Sequence, residues 1–275
     1  MPDNSAKSLP SRGAPLSVQC KSSPGVNKLY ATKASSSPKV LATKRIKEVS
    51  KCTDLVVWGI NLGSTVGSVR LTKQEREMIK LPSFHLSVII GLILSDGGLS
   101  FSNKISKNAL LRFEQSLSKA MYFYFVFYIL SHYCSSYPSY HERYRKPGRA
   151  SFSLSLFTRA LPCFTELYNI FYVNGVKVIP DNIYALLTPV ALAHWIMGDG
   201  VNYKGYGLAL ATDSYSIPGM VRLMNVLTIR YNLKCSLHTR SGGQHRIYIS
   251  AKSMALLRTI VEPHMDRSML YKLNS

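Results

Sequence analysis

Ile89-Ile-Gly-Leu-Ile-Leu-Ser-Asp-Gly97 and Leu192-Ala-His-Trp-Ile-Met-Gly-Asp-Gly200 decide how this chain is read. Each is an apolar run punctuated by small residues and closed by Asp-Gly, and the aspartates, Asp96 and Asp199, stand 103 positions apart. A single Asp-Gly marks a turn or a helix end, because glycine takes a positive φ at no steric cost. Two at matching places call for a further reason. A carboxylate at the end of a helix faces the negative pole of the helix dipole and needs a compensating cation. Acids are also scarce, nine against twenty basic side chains over residues 81–275. Gly91 and Ser95 in one run, and Ala191, Ala193 and Gly198 in the other, let two helices approach closely.

Outward from these runs the chain repeats itself. The first is followed by a strand-like Leu111–Gln115, an aromatic helix Met121–Leu130, a strand Ala150–Phe157, a helix Leu161–Phe171 and the segment Gly175–Pro180. The second is followed by Gly207–Thr212, a helix Met220–Tyr231, a strand Arg246–Ser250, a helix Met254–Val261 and a closing Ser268–Leu273. The order predicts an α+β fold of two tandem αββαββα units, related by a pseudo-two-fold axis as subunits of a dimer are. Ahead of them Leu71–Ile79 reads as a short helix with Thr72 as cap and Glu75 three residues on, closed by Pro82. The expected organisation is a leader at 1–53, a first repeat with its lead-in at 54–187 and a second repeat at 188–275.

The leader differs in texture. It is rich in Ser, Pro and Lys, has ten basic and two acidic side chains, and shows no apolar period, so disorder is expected. Its composition suits an organelle transit peptide, while Pro2, Pro10, Pro15 and Pro24 interrupt the amphipathic helix such peptides form, so a plain flexible leader fits as well. The whole chain, 275 residues with a net charge of +20, still carries an excess of eleven basic groups over residues 81–275, which points to a polyanionic partner. Five cysteines without a CxxC pair argue against a disulfide framework or a zinc site, and for a reducing compartment. The apolar heart Met121–Leu130 is too short to span a bilayer, and no membrane partner is expected. The aromatics from Tyr122 to Tyr128 are read as core.

Packing the two runs about a pseudo-two-fold would bring Asp96 and Asp199 together. Two such carboxylates repel, and a divalent cation relieves them. Oxygen ligands without a His or Cys cluster favour Mg²⁺, which between paired carboxylates and phosphate oxygens activates water and stabilises a leaving oxygen.

The two runs resemble the signature helices of LAGLIDADG homing endonucleases in their single-chain, two-motif form, a type encoded in introns of fungal mitochondrial genomes. The resemblance extends over about residues 54–275. It implies signature helices at the interface of the repeats, and two four-stranded antiparallel sheets saddling the DNA major groove of a target site. It implies, too, a monomer that makes a staggered double-strand break, with mitochondrial localisation. The catalytic and metal-binding acid of the family is the eighth residue of the motif, which places that role on Asp96 and Asp199. The sixth position, often acidic, is Leu94 and Met197 here. The third, often Gly, is His194 in the second run, which is expected to loosen packing there. Family members also carry a polar or basic side chain near the cleavage centre. By position in the repeat these are Lys177 and Lys272, with Gln115 as a candidate for orienting water.

Strand residues alternate in direction, so a sheet laid in the major groove turns every second side chain to the bases. The DNA-contact candidates on strands or their connecting loops are Lys104, Lys107, Arg112, Arg143, Arg145, Lys146, Arg149, Tyr203, Lys204, Arg240, Gln244 and Arg246. Arg and Gln can read base edges, and Lys mostly holds phosphate. The rival readings are an RNA maturase that takes its intron RNA as partner, and a DNA-binding relic with broken chemistry. Retention of both acids favours a nuclease.

Overall fold

Helices α2 (Ser83–Leu94) and α6 (Pro189–Asp199) are apolar on every side rather than along one stripe, and residues 88–94 and 191–198 are buried. A helix of that kind belongs inside a domain. They pack on each other through their small residues. A Cβ on Gly91 would come within 2.5 Å of both the Ala191 carbonyl oxygen and His194 Cβ. A Cβ on Gly198 would come within 2.5 Å of Ser95 Cβ. The loosened packing expected at His194 is not found. The imidazole is buried, lies within 3.1 Å of the Tyr122 hydroxyl through Nδ1 and stacks on Phe125, so the missing side chain at Gly91 makes the room that His194 uses. Burial holds the His194 pKa down at about 3, which keeps the ring neutral.

The computed structural model describes residues 62–67, 70–146, 149–239 and 243–273; the expected leader at 1–53 lies outside them. A short helix α1 (Lys73–Met78) carries the capping box read from the sequence. Glu75 N–H donates to Thr72 Oγ1 at 3.2 Å, and Thr72 N–H donates to the Glu75 carboxylate at 2.8 Å. After α2 come β1 (Gly97–Phe101), β2 (Ala109–Ser116), α3 (Ala120–Leu130), β3 (Ser139–Lys146), β4 (Arg149–Phe157) and α4 (Pro162–Phe171). A hairpin of β5 (Tyr172–Val173) and β6 (Val176–Lys177) and a single turn α5 (Ile183–Leu186) lead to α6. The second half runs β7 (Gly200–Tyr203), β8 (Gly207–Ala211), α7 (Ile217–Ile229), β9 (Cys235–Thr239), β10 (His245–Ser250) and α8 (Met254–Val261), and a 3₁₀ helix, Arg267–Lys272, follows.

The two antiparallel sheets have the same order, β1-β2-β4-β3 and β7-β8-β10-β9. Their registers correspond: Gly97 pairs with Phe113, and Gly200 with Leu210, so each strand that leaves a signature helix meets its neighbour in the same way. Along β2 the inward Ala109, Leu111 and Phe113 alternate with the outward Leu110, Arg112 and Glu114, the period of a half-buried strand. Of the aromatic helix α3, Tyr122, Phe123 and Phe127 are core as expected, whereas Tyr124 and Tyr128 are exposed.

Three details differ from the sequence reading. β3 and β9 supply the strands that the αββαββα order calls for but that the sequence reading does not locate; β9 alternates only over Cys235 and Leu237, and β3 shows no apolar alternation. No described position of β3 is buried, because it is the polar edge of its sheet. α7 starts three residues before the expected Met220, where Ser216 caps it and Pro218 occupies the first turn. Asp96 does not end a helix, since α2 stops at Leu94 with Ser95 as cap, while Asp199 is the last residue of α6. The described cysteines, Cys134, Cys163 and Cys235, are free thiols. No helix among the described residues is long and apolar enough to cross a membrane.

Candidate active site and nucleic-acid interface

The ends of α2 and α6 open on one cavity of about 560 Å³, and Asp96, Lys119, Asp199, Lys204, Arg246 and Lys272 are among the residues that line it. Burial, and then the charge of Asp96, push the Asp199 carboxyl up to about 7, against the opposing influence of Lys272, Lys177 and Lys119. The two acids that the sequence pairs are therefore electrostatically coupled. Among the described residues neither forms a direct ion pair.

The lysines explain why. Lys177 Nζ donates to the carbonyls of Ile93 and Gly97 at 2.8 and 2.9 Å, and Lys272 Nζ donates to Ile196, Met197 and Gly198 at 3.2, 2.6 and 2.9 Å. Each ammonium closes the C-terminal end of its own signature helix, where the last carbonyls lack intrahelical partners and the dipole is negative. The cation demanded by an acid at a helix end is thus present in both halves, engaged by backbone oxygen rather than by the carboxylate. Burial lowers the Lys177 pKa, and burial together with Lys119 lowers that of Lys272 to about 8. The Tyr215 hydroxyl donates to Leu94 O at 3.2 Å and joins the second half to the end of α2.

Local sequence accounts for both placements. Asn174 and Gly175, with φ of 50° and 79°, form the two-residue turn between β5 and β6, and Asn-Gly suits a hairpin loop that needs positive φ twice. The turn brings Lys177 opposite Tyr172, whose hydroxyl accepts from Leu99 N–H at 3.0 Å. In the second half Asp266 caps the 3₁₀ helix that ends at Lys272, with Ser268 N–H donating to its carboxylate at 3.0 Å.

Gln115 is also brought to the centre. It is the last inward side chain of β2, and its amide Nε2 donates to Asp96 Oδ2. Register places Thr212 at the corresponding point of the second half, where its hydroxyl donates to His245 O at 3.0 Å, so that among the described residues Asp199 has no equivalent partner. Lys119, which lines the cavity and acts on Asp199 and Lys272 through its charge, was not singled out from the sequence. Its signal was its place four residues after Gln115, at the junction of β2 and α3.

The DNA-contact candidates fall into four groups. Arg112 on β2 and Arg143 on β3 stand on the outward face of the first sheet, and both are tied to Glu114, a residue the sequence reading passed over. Arg143 lies at 2.7 Å from the Glu114 carboxylate, Arg112 at 3.2 Å, and the Ser153 hydroxyl donates at 2.8 Å. Burial would raise the Glu114 carboxyl, but hydrogen bonds from Arg143, Ser153 and Arg112 outweigh it and hold the pKa at about 2. In the second sheet Arg246 makes a two-pronged contact with Asp213, at 3.0 and 3.3 Å. Tyr203 ends β7, and Lys204 and Gln244 are exposed beside it and before β10. Lys104 and Lys107 lie exposed in the loop after β1 rather than on a strand face. Arg145, Lys146 and Arg149 are on β3 and β4 with side chains outside the described set, and Arg240 lies outside the described residues.

Two repeats of identical topology, packed through paired helices and each delivering one acid and one lysine to a shared centre, define a duplicated α+β domain with a composite site. Residues 86–257 match the model of the LAGLIDADG DNA endonuclease family. A cytochrome b mRNA maturase bI2 from Debaryomyces hansenii is 31% identical over 194 residues, covering 69% of this chain and 73% of the relative. The maturase of the same description from Saccharomyces cerevisiae is 32% identical over 201 residues, 69% of this chain and 47% of that protein. A probable intron-encoded endonuclease 1 from Wickerhamomyces canadensis is 29% identical over 77% of this chain and 93% of its own length. The structure of the homing endonuclease I-WcaI bound to its DNA recognition sequence has a TM-score of 0.68 at 28% identity, covering 75% of this chain and 95% of that one. The chain belongs to the LAGLIDADG DNA endonuclease family.

Proposed function

We propose that the chain is a site-specific DNA endonuclease that makes a staggered double-strand break by Mg²⁺-dependent phosphodiester hydrolysis. The observation that carries this reading is the meeting of Asp96 and Asp199 at one cavity, coupled to each other and free of ion pairs among the described residues, while both nearby lysines are engaged by backbone carbonyls. Such a pair suits a hard divalent cation whose remaining ligands are backbone oxygen, water and phosphate. No cluster of three His, Cys, Asp or Glu is found among the described residues, so the substrate and solvent complete the set.

Asp96 and Asp199 would hold the ion, each serving one strand, and Mg²⁺ bound there would supply Lewis acidity at the scissile phosphate and acidify a water. The Gln115 amide fixes the Asp96 carboxylate that it touches. Lys177 and Lys272 keep the two helix ends, and so the two acids, in register, and their ammonium charge favours approach of the phosphate. The outward faces of the two sheets, with Arg112, Arg143, Tyr203 and Arg246, take the DNA major groove, and Lys104, Lys107, Lys204 and Gln244 lie beside them. The protein acts as a monomer with internal pseudo-symmetry. Residues 1–53 serve as a leader, 54–187 and 188–275 form the two halves, and the site of action is the mitochondrion. The leader's composition and the cytochrome b transcripts named for two relatives support that location.

A second reading has its own support: those two relatives are described as mRNA maturases. Incubation with a library of intronless host-gene DNA, in Mg²⁺ and in Ca²⁺, beside binding to group I intron RNA separates the two. Discrete breaks in Mg²⁺ alone establish the nuclease. Tight RNA binding with no break in any metal assigns the chain to the maturases instead.

A further inference from the structure

The matched family region begins at residue 86, yet the chain builds ordered structure ahead of it. The lead-in is anchored to the first half. Thr65 Oγ1 donates to His132 O at 2.7 Å, Arg159 donates to Thr65 O at 3.1 Å, and the Tyr133 hydroxyl donates to Lys80 O at 3.4 Å. α1 itself buries no residue, so its contribution is not to the core. What it presents is positive charge. Lys73, Arg76 and the single acid Glu77 line a cavity of about 740 Å³ together with Ser106, Lys107 and Asn108 from the loop between β1 and β2. Arg76 also borders a neighbouring cavity of about 380 Å³, together with Arg70.

Little opposes these cations. Glu75 is used in the capping box, and Glu77 reaches Lys73 only at 3.9 Å across an exposed i,i+4 pair, an interaction of a few tenths of a kcal/mol at most. Basic side chains therefore stand on α1 and on the β1–β2 loop, as Lys104 and Lys107, and that loop leads into β2. The loop lies at the far end of β1 from Asp96, about 16 Å along a five-residue strand. The second half has no counterpart of α1, since residues 181–188, which precede α6, contain no Lys or Arg, although its β7–β8 loop carries Lys204.

We propose that α1 and the β1–β2 loop form an additional, one-sided anion-binding surface that grips the phosphate backbone of duplex DNA beyond the central site; this rests on the endonuclease reading. Its place on the loop that joins β1 to β2, two strands of the sheet taken to face DNA, favours duplex DNA, and cations that act on phosphate by charge bind with little regard to sequence. Each phosphate contact releases a counterion, so the surface is read by salt dependence.

The experiment measures affinity of the full chain for a 40-base-pair duplex in Ca²⁺ across a salt series. Lys73→Gln/Arg76→Gln/Lys107→Gln is compared with wild type and with Lys252→Gln, a change on an exposed turn after β10. The triple variant should lose about 2 to 3 from the slope of log K against log salt, roughly 0.9 for each contact, while Lys252→Gln leaves it unchanged. Thermal melting confirms folding, and the three single variants, each expected to lose about one contact's worth of slope, serve if the triple variant is unstable. An unchanged slope in folded variants overturns the proposal, as does a loss confined to group I intron RNA. A wild type that binds no duplex DNA overturns the endonuclease reading itself.

Discussion

In the first half, Asp96 follows its helix by two residues and receives the Gln115 amide. In the second, Asp199 closes its helix, and Thr212, at the position of Gln115, turns its hydroxyl to a backbone carbonyl. The sheets diverge in the same way. Glu114 gathers Arg112, Arg143 and Ser153 on the first outward face, whereas the register puts Ala211 at that place in the second, and Arg246 pairs instead with Asp213. What both halves keep is the small-residue helix contact, the acid and the lysine that caps the helix end. Duplication has preserved what assembles the centre and let the surroundings of each acid drift. Two similar acids in unlike settings need not work equally.

The contact shared by both halves gives the largest expected effect. Gly91→Val places side-chain atoms against Ala191 and His194 in a fully packed interface, and should cost about 3 kcal/mol or more, the upper end of overpacking, with loss of soluble folded protein in chemical denaturation. A variant as stable as wild type would show that α2 and α6 do not meet at this point.

The carboxylates come next. Because the folded Asp199 pKa is raised to about 7 from an ordinary 3.8, metal-free protein binds more protons folded than unfolded between these values. Stability in EDTA is therefore fully present below about pH 4 and falls as pH rises through 7, by at most about 4 kcal/mol from this group. Asp199→Asn should flatten that fall in melts recorded from pH 4 to 8, and added Mg²⁺ should reverse it in wild type only. An identical pH profile in the variant would remove the charge coupling from the account.

The smallest effect separates the halves. Gln115→Ala should slow cleavage of one strand about tenfold to a hundredfold, because a carboxylate loses the group that fixes it. Thr212→Ala should lower stability by about 1–2 kcal/mol through a lost buried hydrogen bond, without a strand bias. Strand-resolved nicking rates with both variants test this, and equal slowing of both strands by Gln115→Ala would contradict the asymmetry.

Most of the frame was legible in the sequence, since apolar runs, Asp-Gly ends and repeated element order depend on local pattern. Lys177 and Lys272 were found by position in the repeat, but their attachment to helix carbonyls follows from a hairpin and a 3₁₀ turn that no pattern specifies. β3 escaped because an edge strand with no buried residue has no alternation to read. Glu114 escaped because its importance arises from Arg143, which comes from another strand. The close packing at His194 is not legible from its own helix, because it depends on Gly91, which faces it from the other.

The most direct test is strand-resolved cleavage, in Mg²⁺, of the DNA site recovered from the library, with Asp96→Asn and Asp199→Asn beside wild type. Binding in Ca²⁺ serves as the control for folding. The shared centre predicts that each single variant still binds and makes no double-strand break. Full double-strand cleavage by either variant would contradict it.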